Sequence, residues 1–179
     1  MLKIYITDLS AYNQSFLIGK WITLPMCEEE LQEEIQSILK EGSEACGFNE
    51  THEEVFITDY EFETEYSLFT VNEYSSISEL NEKCEELSQY DEHDLKRISY
   101  LLDHLNYDLE AAIEHYDEVH VYEDMTMRDV AEEYIESTVN LSELPDIVSN
   151  NIDYDAIARD FEIDSAYEVI ENDVFFYVS

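Results

Sequence analysis

Forty-five Asp and Glu residues stand against 8 Lys and Arg in this 179-residue chain, and any fold it adopts has to hold a formal net charge of −37 together. The excess is not a tail. Residues 1–65 carry −12, residues 66–120 carry −11 and residues 121–179 carry −14. Self-repulsion on this scale destabilises a compact state, so such a chain either stays disordered or brings a large apolar complement. Disordered acidic chains lack that complement, whereas here 45% of residues are hydrophobic and 13% aromatic. With 3 Gly and 2 Pro, no long flexible linker is visible. The expectation is an ordered, soluble protein of one to three small compact units.

The opening MLKIYITDLS lacks the apolar run of a signal peptide. No stretch approaches the roughly 18 apolar residues of a membrane span. Cys27, Cys46 and Cys84 are odd in number and form no CxxC, which argues against a disulfide framework. A cytoplasmic location, with no membrane partner, is expected.

The N-terminal third reads as strands plus one helix. Leu2, Ile4 and Ile6 alternate with Lys3, Tyr5 and Thr7, the period of a half-buried strand. A second strand fits Phe16–Leu24 and is stopped by Pro25. A helix follows over Glu28–Lys40, with Leu31, Ile35, Ile38 and Leu39 on one face and glutamates in its first turns, where the helix dipole tolerates them. Val55–Tyr60 supplies a third strand. The middle is helical. Ser76-Ile77-Ser78-Glu79 has the form of a capping box ahead of Ile77, Leu80, Cys84 and Leu87. Asp91 can cap a helix presenting Leu95, Ile98, Leu102 and Leu105, and a short helix fits Asp108–Tyr116. The last third mixes a strand at Val119–Tyr122, helices after Thr126 and Asp153, and a hairpin over 167–179 turning at Asn172-Asp173. The helix after Thr126 is expected to turn Val130, Ala131, Tyr134 and Ile135 inward. The sum is α+β, with mixed sheet and helix at both ends and helices between.

Catalytic signatures are missing. There is no GxGxxG, phosphate loop, GxSxG or HExxH. His115 and His120 lack a matching Cys pair for zinc, and these two are expected at the surface or partly buried. The acid-rich run 153–164 lacks the glycine of a calcium loop. No catalytic residue, metal or cofactor is expected, and the chain is read as a non-enzyme.

Duplex DNA carries one negative charge per about 1.7 Å of axis. If the compact units lie end to end in a rod on the order of 60–75 Å long, the excess charge falls one per roughly 1.6–2.0 Å. Helical carboxylates three or four positions apart stand about 5–6 Å from one another. Glu29 with Glu33, Glu30 with Glu34, Glu82 with Glu86, Glu110 with Glu114 and Glu132 with Glu136 have that spacing. Each like-charge pair costs a few tenths of a kcal/mol in helix stability. Repetition of that cost marks these ten as candidate phosphate surrogates.

Specific segments carry a resemblance beyond composition. They are Ile4-Tyr5-Ile6 with Ala11-Tyr12-Asn13, Gly19-Lys20-Trp21 leading through Pro25 into the acidic helix, and Asp59-Tyr60-Glu61. The long run from Phe69 to Asn81 (FTVNEYSSISELN), the DVAEEYIE run from Asp129 to Glu136, and Asn151–Asp160 complete the pattern. Over nearly its whole length the chain resembles the ArdA antirestriction proteins of mobile genetic elements. The resemblance implies an elongated, curved chain of three small domains, placed here at 1–72, 73–116 and 117–179, that imitates bent duplex DNA. It implies a non-catalytic homodimer, joined through the C-terminal domain, that occupies the DNA-binding groove of type I restriction-modification enzymes and blocks restriction and modification; it binds no nucleic acid. Val130, Tyr134 and Ile135 fall near the family's antirestriction motif, as dimer contacts or as C-terminal core. Two rivals stand beside this reading: an acidic binding module or chaperone for another basic DNA-binding protein, and a halophile-type enzyme with an acidic surface.

Overall fold

The structure, a computed structural model, describes residues 1–47, 51–163 and 166–178. The alternation at the N-terminus builds the centre of a three-stranded sheet. Strand β1 (Leu2–Asp8) lies between β2 (Gly19–Leu24) and β3 (Val55–Phe62), antiparallel to both. Strand β2 begins at Gly19 rather than Phe16. A short helix that the sequence pattern does not announce, α1 (Leu9–Asn13), follows β1 directly, and Ser15 at φ 68° turns the chain back, so residues 16–18 are the return.

The inward side chains Leu2, Ile4, Ile6, Ile22 and Leu24 pack beneath α2 (Glu28–Ala45) and α3 (Ile77–Leu87), which contribute Leu31, Ile38, Leu80 and Cys84. Helix α2 runs past Lys40 to Ala45, carrying Gly42 to the end of β1. Ser76 caps α3, its hydroxyl accepting from the Glu79 N–H at 3.3 Å. The buried Asn81 amide donates to the Met26 carbonyl and accepts from the Met26 N–H, both at 2.9 Å, fastening α3 to the loop after β2. Helix α4 (Glu92–Asp103), capped by Asp91, buries Leu95, Ile98 and Leu101. Leu102 and Leu105 are only half-buried, so the stripe holds at Leu95 and Ile98 and passes to Leu101 in the last turn.

Burial raises the Cys84 thiol to about 11. A thiol held protonated inside a core is a poor nucleophile. An aromatic disulfide reagent is therefore expected to leave Cys84 unmodified in the native protein, as peptide mapping would report. Labelling before unfolding would show that this core opens.

The chain forms two compact units, Met1–Leu105 and Asn106–Ser179. The helices expected in a middle domain fall on both sides: α3 and α4 lie in the first unit, and α5 (Leu109–His115) in the second. The reason for α3 is its face, since Leu80 and Cys84 meet the sheet.

In the second unit, β4 (His120–Tyr122), β5 (Tyr167–Ile170) and β6 (Asp173–Phe176) form an antiparallel sheet in the order β4-β6-β5. The hairpin turns one residue earlier than expected, through Glu171 at φ 54° and Asn172, because Asp173 already pairs with Ile170. Helices α6 (Met127–Thr138) and α8 (Tyr154–Ile163) pack together, and a single turn, α7 (Asp146–Ser149), lies between them in sequence. A full capping box opens α6: the Thr126 hydroxyl accepts from the Asp129 N–H, and the Asp129 carboxylate accepts from the Thr126 N–H. The Thr126 hydroxyl also donates to the Asp129 carboxylate, and that bond first, with the one from the Thr126 N–H second, holds the Asp129 carboxyl below its usual range.

Candidate functional site

Helix geometry decides which candidate carboxylates face water. On α2, Leu31, Ile38 and Leu39 point at the core, which leaves Glu29, Glu30 and Glu33 exposed near its N-terminus. Glu34 is half-buried and pairs with Lys20 of β2, so its charge is locally compensated. On α3, Glu82 and Glu86 are exposed opposite the Leu80–Cys84–Leu87 face. On α5, Glu110 and Glu114 are exposed around a buried Ala112. On α6, Glu136 is exposed and Glu132 is half-buried. The structure thus sets these carboxylates on helices of both compact units.

The other three candidates separate. Val130 is 1% exposed and belongs to the second unit's core with Met127, Ala131, Ala158 and Val174. Ile135 is half-buried, and Tyr134 is 47% exposed rather than turned inward. The Tyr134 ring meets Phe161 edge-on at 5.3 Å. Phe161 stacks on Tyr167 at 4.8 Å and Tyr167 tilts against Phe176 at 4.5 Å, so Tyr134 ends a run of rings extending from α6 to the sheet.

Several of the few cations pair with acids. Lys3 pairs with Glu63 at 2.9 Å, Arg128 with Asp155 at 3.1 Å and Arg97 with Asp94 at 3.7 Å. The Glu63 hydrogen bond raises Lys3 and lowers Glu63 in turn. The acids in excess of these pairs supply the outward field.

One buried pair has the look of catalytic machinery. The Asp8 carboxylate lies 2.6 Å from His52 Nδ1, and its other oxygen accepts from the Ala11 N–H at 2.9 Å to cap α1. The side chains are 0% and 1% exposed, so no substrate atom reaches them. His52 is thus fully enclosed. The pair joins the end of β1 to the segment before β3 and to Gly42 of α2. Sequence reasoning missed it because its three members are far apart in the chain, and the helix was expected to end at Lys40, short of Gly42.

Among the described residues, no three His, Cys, Asp or Glu side chains gather as a metal-ligand group, and no helix is long and apolar enough to cross a membrane. The sequence model of one protein family, described as antirestriction protein (ArdA), matches residues 4–176. No curated protein matches the chain significantly.

Proposed function

Because this chain belongs to the antirestriction protein (ArdA) family, we propose that it inhibits type I restriction-modification enzymes by lying in their DNA-binding groove as a mimic of duplex DNA. The observation that carries the reading is the array of exposed helical carboxylates, present in both compact units and spaced i to i+4. Carboxylates at that spacing approximate successive phosphates. A basic groove gains from them much as it gains from DNA, through counterion release and steered encounter. The protein acts without catalysis or cofactor, in the cytoplasm.

The decisive experiment is in vitro cleavage and methylation of unmodified DNA by purified type I enzymes, with and without the protein. Inhibition of both that is relieved by excess duplex DNA supports groove competition. Full cleavage at saturating protein across several type I enzymes overturns the reading and favours an acidic module for another basic DNA-binding protein.

Two expectations follow from a shared field. Single Glu→Gln changes at Glu29, Glu82 or Glu110 should each alter the inhibition constant by less than about twofold, as for exposed charge pairs. An abrupt loss from any one of them, in a folded variant, would contradict collective action. Raising salt should raise the melting temperature by screening self-repulsion while weakening inhibition. A salt series followed by calorimetry and by the cleavage assay reads both.

The homodimer is assigned to the second unit. Ile147 and Ile163, 78% and 83% exposed, are the large aliphatic side chains of that unit most open to a partner among the described residues. Glutamate at both positions should shift the protein to a monomer in sedimentation velocity. A dimer that persists unchanged would place the contact elsewhere.

A further inference from the structure

We propose that the outer face of the first unit's sheet, turned away from α2 and α3, is a docking surface for an arginine of the basic partner, with the Tyr5–Trp21 ring pair as platform and Asp59 as counter-charge. The proposal rests on the reading that the partner is a cationic DNA-binding protein, and it adds a localised anchor to a distributed field.

The alternation that buries Leu2, Ile4 and Ile6 puts Tyr5 on the opposite face of β1. Strand register then sets Trp21 of β2 and Asp59 of β3 on either side of it, so the three stand in one row across the sheet. Neighbouring strands lie about 4.8 Å apart, which places the carboxylate within reach of a guanidinium resting on the rings. The rings of Tyr5 and Trp21 meet edge-on, with centroids 5.4 Å apart and planes at 70°. Gly19 makes that arrangement possible. A Cβ there would lie 2.7 Å from the Tyr5 ring and 2.5 Å from the Ile6 carbonyl oxygen, so the ring leans over a position that only glycine leaves open.

Trp21 remains 45% exposed despite its partner. In the adjacent row Lys3 is already held by Glu63, while Asp59 and Glu61 are exposed. Charge selects the occupant. A nucleic acid is repelled by the exposed Asp59 and Glu61, and the same face of a second copy would set like carboxylates against them. A lysine ammonium is attracted as a compact charge and has no planar face to stack on a ring. A guanidinium stacks on aromatic faces and offers a carboxylate two parallel N–H donors.

Trp21 is the single tryptophan of the chain, so selectively excited indole emission reports this face alone. The test titrates the full-length protein with oligo-arginine and oligo-lysine peptides of equal length at physiological salt. Oligo-arginine should change Trp21 emission and bind about two- to fivefold more tightly than oligo-lysine, the contribution of an exposed cation–π contact. Trp21→Leu should keep binding to both peptides and lose the preference. Equal affinities with unchanged emission in the wild-type protein would overturn the proposal without reliance on any variant. Cleavage inhibition is measured alongside. An arginine preference in a protein that inhibits no type I enzyme supports the surface and removes the restriction reading, whereas inhibition with no arginine preference removes the surface alone.

Discussion

Replacing Gly42 with alanine is expected to destabilise the first unit by about 3 kcal/mol, within the range for overpacking a core or leaving a buried polar group without its partner. In an ordinary helix interior the same change stabilises by about 1 kcal/mol, so the sign is the test. An alanine Cβ would fall 1.9 Å from Asp8 Oδ2 and 3.1 Å from His52 Nδ1. Asp8 has nowhere to retreat, since one oxygen caps α1 and the other holds His52. Either α2 lifts from the sheet or the pair opens where water cannot replace the lost partner. Urea unfolding should show a lower midpoint with an unchanged slope. The same substitution on an Asp8→Ala background has no carboxylate to strike and should there be neutral or stabilising. A double-mutant cycle without that reversal would show that the close approach is not what fixes glycine at this position.

Neutralising Glu29, Glu30, Glu33, Glu82, Glu86, Glu110, Glu114 and Glu136 together, all exposed, should produce the largest functional effect. Removing that many charges that face a basic groove is expected to weaken inhibition by on the order of a hundredfold or more. It should also flatten the salt dependence by up to about 0.9 logarithmic units for each carboxylate that had neutralised a groove cation. Stability should move the other way. Glutamine and glutamate have similar helix propensity, and relief of self-repulsion should raise the melting temperature. Weaker inhibition from a more stable protein would separate surface charge from folding. A fall in both would indicate a damaged fold, and inhibition unchanged by eight neutralisations would remove the carboxylates from the mechanism.

Local chemistry accounts for what the sequence made legible. Ser76, Asp91, Asp108 and Thr126 each cap the helix expected after them, because a cap is satisfied within three residues of itself. The alternation of β1 likewise needs no distant information. Helix α1 was invisible because five residues are too few for a helical period to show. The grouping of helices was harder for a different reason. An apolar stripe such as Leu80, Cys84 and Leu87 is the same whether it meets a helix or a sheet, and only the tertiary structure shows α3 on the sheet. Tyr134 had the right phase to turn inward, yet its ring lies at the edge, against Phe161, where a polar hydroxyl can stay wet. Among the acids the sequence could offer spacing but not pairing. Glu34 is the case in point, its charge taken up by a lysine from a neighbouring strand.

The position of β1 in its sheet bears on how the chain is made. The central strand is made before either of its neighbours, and the second of these, β3, is complete only at Phe62. The apolar face of that sheet then waits for Leu80 and Cys84 of α3. Contacts this distant in sequence form slowly, since the intervening loop must be closed before they contribute. Vectorial synthesis therefore leaves the N-terminal strand without its full complement until most of the first unit has emerged. Ribosome-bound fragments ending before residue 80 should remain protease-sensitive, and fragments that include Leu105 with enough added chain to clear the exit tunnel should be the first to resist digestion.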